Sequence, residues 1–345
     1  MFESTRKLVL KKFLQSFGDK AVPSEGFLFL VFWFFWGFMI PLLFLGNFAF
    51  AYTYSRDEAG MYLKWEGNPK YYLAGNQQNT SGVSSSTLWN AVVKGLQRWQ
   101  EASSDTVEFE YWQGTSNADY EPNANYNGLN SVYFASHSGE PMDGGLIAVT
   151  QTWYNTDTGQ ILEADITLND NFFSFSNNPT DTVGPGTGGS TGRVYLANVV
   201  THEIGHALGL GHSPNLQSSM LYMEAADHVH VSCDDWLAIR SYYGASGDYL
   251  TGEISGRVRT PGGSNIFGAH VLAISVDRGT VLGTGVTDSQ GKFVIDSLEE
   301  GEYLLLVEPV YAGAAALTDY FEGMNTRVCS GWHFGRTFIT EADDL

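Results

Sequence analysis

One eleven-residue segment, His202 to His212, constrains the fold of this chain more than any other part of its sequence. The segment reads HEIGHALGLGH. Residues four apart lie on the same face of an α-helix, so His202 and His206 can present two imidazoles to one ion. Gly209 can adopt backbone conformations that are closed to other residues. The chain can therefore leave the helix and turn back within three residues, which would deliver His212 as a third ligand.

Three neutral imidazoles favour a catalytic zinc site, because they leave a fourth tetrahedral position for water. Glu203 adjoins the first ligand, and we expect it to face that water as the general base. Zinc lowers the pKa of such a water to about 7. With eight His and 39 Gly in the chain, a chance match at five fixed positions has a probability on the order of 10⁻⁵. The alternative, an amphipathic helix with incidental histidines, is therefore disfavoured.

This region resembles the metzincin zinc peptidases, and the matrixins most closely. As in matrixins, Ser213 follows the third histidine and Met220 lies eight residues after it. The resemblance implies that Met220 packs beneath the zinc site as an apolar floor, although a methionine considered alone is more often plain core. Tyr222 resembles the tyrosine of astacin-like and serralysin-like relatives that approaches the zinc and stabilises an oxyanion. A packed surface tyrosine is the alternative.

The segment from Leu146 to Val149 lies where matrixins have the edge strand that pairs with substrate. The resemblance implies that backbone groups near Ile147 and Ala148 bind an extended peptide by strand addition. An interior strand is the alternative. The implied partner is a protein or peptide substrate.

The chain departs from the animal matrixins at their second, structural zinc. Val149 and the run from Ala164 to Thr167 occupy the places of the histidines that bind it, and His137 alone remains there. We therefore expect one catalytic zinc ion and no structural zinc of that type.

Calcium is a further candidate cofactor, because carboxylate oxygens are its preferred ligands. The spacing of the candidate acids matches no specific calcium loop, so solvated turn acids are the simpler interpretation. These acids are Asp143, Asp157, Asp165 and Asp170.

Residues 52–247 are predicted to form one α+β domain, a mixed twisted sheet with three main helices. The β-rich runs are Tyr71–Leu73, Val107–Tyr111, Val132–Phe134, Leu146–Val149 and Ile161–Leu168. The first helix is expected from about Ser86 to Ala102, and the second contains the zinc motif. The third begins near Ser232, where Asp235 is placed for a capping box, and ends at Gly244. Its predicted buried stripe is Trp236, Ile239 and Tyr243.

Residues 253–312 are predicted to form a small all-β sandwich, because short strands alternate with turns there. The segments Ser255–Val258, Thr287–Phe293 and Leu298–Tyr303 resemble transthyretin-like regulatory domains found beside carboxypeptidases. No cluster of catalytic residue types occurs in this region, which favours a spacer, folding aid or adhesion module. Residues 313–345 are expected to complete the sandwich or to form a tail.

Residues 1–51 are predicted to direct export rather than to join the fold. Five basic residues precede the apolar run Phe27–Leu45, and Ala49-Phe50-Ala51 supplies the small residues of a cleavage site. Tyr52 would then begin a secreted, extracellular protein. An uncleaved signal-anchor is the alternative, because the apolar run approaches the length of a membrane span. In both cases the chain after residue 51 is exported.

The formal net charge is −20. So acidic a chain argues against nucleic acid or an anionic membrane surface as its partner. A membrane contact is expected only through the N-terminal segment, and only where that segment stays uncleaved. Cys233 and Cys329 could pair after export or remain thiols, since the sequence does not give their separation. The oligomeric state is left open.

The sequence favours an endopeptidase that hydrolyses internal peptide bonds of extracellular proteins, with Glu203 as general base. A catalytically weak, zinc-containing adhesion or recognition protein is the alternative from another class. Loss of Glu203 would have been its signature, and Glu203 is present. A non-proteolytic amidohydrolase is disfavoured by His212 and the Met220 turn.

Overall fold

The computed structural model describes nine segments of the chain, which all lie within residues 47–340. The segments are residues 53–57, 61–73, 77–113, 126–139, 142–181, 193–225, 227–244, 252–310 and 337–339. The predictions for the N-terminal segment, Tyr52 and Cys329 fall outside these residues. No helix in the described segments is both long and apolar enough to cross a membrane.

The N-terminal part is built on a mixed five-stranded sheet in the order β2-β1-β3-β5-β4. Neighbouring strands are parallel except β4, which runs antiparallel to β5 at the edge of the sheet. The strands are β1 (Lys70–Leu73), β2 (Glu110–Gln113), β3 (Asn130–Phe134), β4 (Ala148–Tyr154) and β5 (Ile161–Leu168). A short parallel pair, β6 (Ser174–Ser176) and β7 (Arg193–Tyr195), follows.

Helices cover this sheet, and the α+β class is confirmed. They are α1 (Ser85–Ala102), the short α2 (Ala135–Ser138), α3 (Leu196–Ala207) and α4 (Cys233–Tyr243). One apolar face of α1 is buried, and Trp99 Nε1 at its end donates to the carbonyl of Thr201 on α3 at 2.8 Å. A Cβ at Gly95 would lie 2.7 Å from Ile204 Cδ1, so the glycine lets α1 approach the motif helix closely.

Two predicted strands begin later than expected. Strand β2 starts at Glu110, because Val107 and Phe109 pack into the core as the chain leaves the turn after α1. Strand β4 starts at Ala148, because Leu146 belongs to a turn in which its N–H donates to the carbonyl of Asp143 at 3.1 Å.

Helix α4 has the predicted capping box between Ser232 and Asp235, but its predicted buried stripe is partly wrong. Trp236 is 41% exposed, and the guanidinium of Arg240 lies 4.6 Å from its ring centroid. Ile239 is buried as predicted, and the helix also buries Asp234 and Asp235. Hydrogen bonds to neighbouring loops make the burial of these acids tolerable.

The C-terminal part is all-β, as predicted, and its strands pair antiparallel. One sheet has the order β10-β9-β12-β13, and β8 pairs with β11. The strands are β8 (Gly252–Arg257), β9 (Ala269–Ser275), β10 (Val281–Val286), β11 (Lys292–Leu298), β12 (Tyr303–Pro309) and β13 (Thr337–Ile339).

Helix α4 joins the two parts. Leu237 packs against both hydrophobic cores. Asp234 Oδ1 accepts a hydrogen bond from Thr284 on β10 at 3.5 Å, and its Oδ2 accepts one from Ser213 at 2.6 Å. Burial, together with the nearby charge of Asp235, raises the pKa of Asp234 to about 7. The sandwich is thus linked through one buried carboxyl group to the residue that follows His212.

Candidate active site

The three motif histidines converge at the C-terminal end of α3. One ligand atom of each of His202, His206 and His212 lies within 4.8 Å of the others. The Nδ1 atom of His202 lies 2.7 Å from the carbonyl of Ser219, and that of His206 lies 2.8 Å from the carbonyl of Leu210. A carbonyl can only accept, so each Nδ1 carries the proton and each Nε2 keeps a lone pair.

This donor set fits zinc, because three neutral imidazole nitrogens can occupy three corners of a tetrahedron. Burial, and then the neighbouring His206 and His212, hold the pKa of His202 well below its usual value. The ring is therefore neutral, as a metal ligand must be.

Gly209 directs the chain from the helix to the third histidine. Its φ is +86°, and a Cβ there would lie 2.2 Å from the carbonyl oxygen of Leu63. Both the left-handed backbone and the close approach exclude other residues. The predicted reason for a glycine at this position is confirmed.

Met220 lies against the motif helix between the first two histidines. It is 2% exposed, and a Cβ at Gly205 would lie 2.2 Å from its sulfur. Its carbonyl accepts a hydrogen bond from the N–H of Ser213 at 2.8 Å, which ties the methionine turn to the segment after His212.

The buried carboxylate of Asp235 holds this turn from the other side. It accepts from the N–H of Ser219 at 2.8 Å, from the Ser219 hydroxyl at 2.9 Å and from the Ser218 hydroxyl. The carbonyl that orients His202 thus belongs to a residue fixed by Asp235.

Glu203 is 5% exposed and lines the same cleft as the histidines. Its Oε2 accepts a hydrogen bond from the Thr150 hydroxyl at 2.6 Å. Burial raises the pKa of Glu203 to about 7, while the hydrogen bond from Thr150 and the proximity of His212 act in the opposite direction.

The cleft has a volume of about 590 Å³, and β4 forms one of its walls. Ile147 and Ala148 both line it. The carbonyl of Ile147 already accepts from the N–H of Asn169 at 2.9 Å. Because backbone groups alternate in direction along an antiparallel edge, those of Ala148 then face away from β5. The binding of a peptide by the backbone near Ile147 and Ala148 stays a prediction.

Tyr222 lies on the wall of this cleft, two residues after Met220, and its side chain is half-buried. Its role towards an oxyanion stays a prediction.

Several residues that line the cleft were not predicted, among them Thr150, Asn198 and His228. Asn198 lies one turn before His202 on the same helix face, a spacing that could have revealed it. Its Nδ2 donates to Glu224 Oε1 at 3.1 Å and to the carbonyl of Ala225 at 2.9 Å. His228 is buried with Nε2 3.2 Å from the carbonyl of Leu216, and burial lowers its pKa.

Two of the candidate calcium acids are not solvated turn acids, so that interpretation is wrong for them. Asp165 is 1% exposed and accepts from the N–H of Ser131 at 2.7 Å. Asp170 is 3% exposed and accepts from the N–H of Thr80 at 2.7 Å and of Ser136 at 2.8 Å. Both carboxylates bind the protein's own backbone, and the structure gives calcium no support.

The other two acids are exposed. Asp143 accepts from the N–H of Gly145 at 2.8 Å, as a turn acid does, and Asp157 lies in a turn before β5. His137 lies in α2, outside the histidine cluster. The expectation of a single zinc stays a prediction.

Comparison with known proteins agrees with this geometry. Residues 64–244, more than half of the chain, match the matrixin family, and residues 253–319 match the carboxypeptidase regulatory-like domain. No curated protein matches the chain. Matrixins are zinc-dependent metallopeptidases, and the described histidine cluster has the ligands such an enzyme needs. The chain belongs to the matrixin family.

Proposed function

We propose that this matrixin is a secreted endopeptidase that hydrolyses internal peptide bonds of extracellular proteins. The observation that carries the proposal is the meeting of three zinc-compatible histidines, a buried glutamate and a sheet edge in one cleft. Cleavage of a mixed peptide library by the full chain, with and without chelator, tests it.

The residues of the cleft have separate roles in the proposed hydrolysis. His202, His206 and His212 would hold a zinc ion, which when bound polarises the scissile carbonyl and acidifies a water molecule. Glu203 takes the proton of that water and later passes one to the leaving amine. The edge strand holds the peptide extended through the backbone of Ala148.

Tyr222 is proposed to donate its phenolic hydrogen to the oxyanion that develops at the scissile carbonyl. Tyr222→Phe is expected to lower kcat by up to about 10² to 10³, the range found when one oxyanion donor is removed. Zinc content should stay unchanged, because the phenol is no ligand in this scheme. Steady-state kinetics combined with metal analysis tests this. An unchanged kcat would assign Tyr222 to packing alone.

The chain after residue 51 is proposed to be exported, because a basic flank, an apolar run and a small-residue site follow one another within residues 1–51. Mass spectrometry of the exported protein is expected to find Tyr52 at its N-terminus. Recovery of the intact chain from membranes, with Phe27–Leu45 retained, would instead establish an anchored enzyme.

A further inference from the structure

The hydroxyl of Thr150 reaches the motif helix from the substrate-side strand. Its Oγ1 lies 2.6 Å from Glu203 Oε2 and 3.1 Å from the backbone oxygen of Glu203. Along β4, Ala148, Thr150 and Thr152 are half-buried, whereas Val149 and Gln151 are exposed. The alternation of a strand therefore turns Thr150 inwards, towards α3.

The direction of this hydrogen bond is fixed by its partners. A carboxylate and a carbonyl can only accept, so the single proton of the Thr150 hydroxyl is donated to Glu203. The carboxylate oxygen is the nearer acceptor, and a hydrogen bond to a charged group is the stronger kind. One carboxylate oxygen is thereby held against β4, which leaves Oε1 as the oxygen that can accept a proton.

We infer that Thr150 is a positioning residue for the general base. It sets the rotation of the Glu203 carboxylate, so that one oxygen faces the strand and the other faces the reacting water. This inference rests on the proposed peptidase function. It adds to that function a second role for β4, because the strand that borders the substrate also orients the base.

A purely structural role for Thr150 makes a different prediction. If the residue only filled space in a twisted strand, valine would replace it without loss, because valine has nearly the same shape and favours strands. Serine would be the poorer substitute, since it lacks the branch methyl group but keeps the hydroxyl. The pair Thr150→Val and Thr150→Ser therefore separates hydrogen bonding from packing.

The experiment uses the full chain loaded with zinc and one peptide that wild type cleaves. Thr150→Val is expected to lower kcat by about 10-fold to 100-fold, the range for a lost hydrogen bond to a charged group. KM should change little, because the backbone of β4 is kept. Thr150→Ser should recover kcat to within about threefold of wild type, as the hydroxyl is restored. Zinc content should be the same in all three proteins.

Crystal structures of the three proteins provide a readout independent of turnover. We expect the Glu203 carboxylate to rotate in Thr150→Val and to keep its orientation in Thr150→Ser. An unchanged kcat in Thr150→Val, or equal losses in both variants, would overturn the inference. If wild type cleaves nothing, the peptidase proposal fails separately. An unchanged Glu203 orientation in the crystal of Thr150→Val would then overturn the positioning role by itself.

Discussion

His202→Ala and His206→Ala are each expected to abolish zinc binding and, with it, all measurable proteolysis. Each variant removes one of three ligands whose donor atoms lie within 4.8 Å of one another. The two remaining imidazoles cannot complete a tetrahedral protein site with a single open position. Metal analysis of the purified proteins should find one zinc per wild-type chain and essentially none per variant chain.

Thermal unfolding gives a second measure of the same loss. A ligand that binds the folded state raises stability according to its concentration and Kd, so added zinc should raise the Tm of wild type and leave both variants unchanged. His230→Ala is the matched control, because His230 is exposed and outside the cluster. A triad variant that still holds one zinc would contradict the assigned ligands. Two tightly held zincs in wild type would contradict the expected absence of a structural metal.

Glu203→Gln is expected to keep both fold and zinc while losing nearly all turnover. Glutamine has almost the same shape, and its side-chain oxygen can still accept the hydrogen bond from Thr150, which in wild type measures 2.6 Å. Its amide cannot take a proton from water, so a general-base contribution of about 10² to 10⁴ disappears. Kinetics at matched zinc content measures the loss. A variant that cleaves the same peptides as fast as wild type would show that Glu203 is not the base.

The histidine cluster could be predicted because all three of its residues lie within one eleven-residue segment of the sequence. Helix periodicity places His202 and His206, and a backbone that glycine alone tolerates delivers His212. Gly209 has the left-handed φ that this route requires, +86°. The class of the fold followed from the order of strand and helix patterns.

The contacts around the cluster could not be predicted, because they join residues distant in sequence. Thr150 and Glu203 are 53 residues apart, and Asp234 and Thr284 are 50 apart. Thr150 meets Glu203 because β4 lies at the sheet edge beside α3. The order of strands in a sheet cannot be predicted from the sequence of any single segment.

Buried acids gave the clearest errors, since acidic residues are almost never fully buried unless they are paired. Asp165 and Asp170 were expected in solvent but are buried, and Asp234, for which the sequence made no prediction, is buried as well. Each is buried in contact with backbone N–H groups or hydroxyls that donate hydrogen bonds to it. Trp236 is the opposite kind of error, an apolar residue that was predicted to be buried and is exposed. Its ring lies in solvent beneath Arg240, although its spacing in the helix favoured a place in the buried stripe.

The most direct test of the proposed zinc-peptidase function is cleavage of a mixed peptide library by the purified full chain in three states. The chain is assayed as isolated, after treatment with a chelator, and after zinc is added back. We expect cleavage of internal bonds in the first state, none in the second and recovery in the third, with Glu203→Gln inactive throughout. A protein that holds one zinc per chain and cleaves no peptide in any state would contradict the proposed peptidase function and support the recognition-protein alternative.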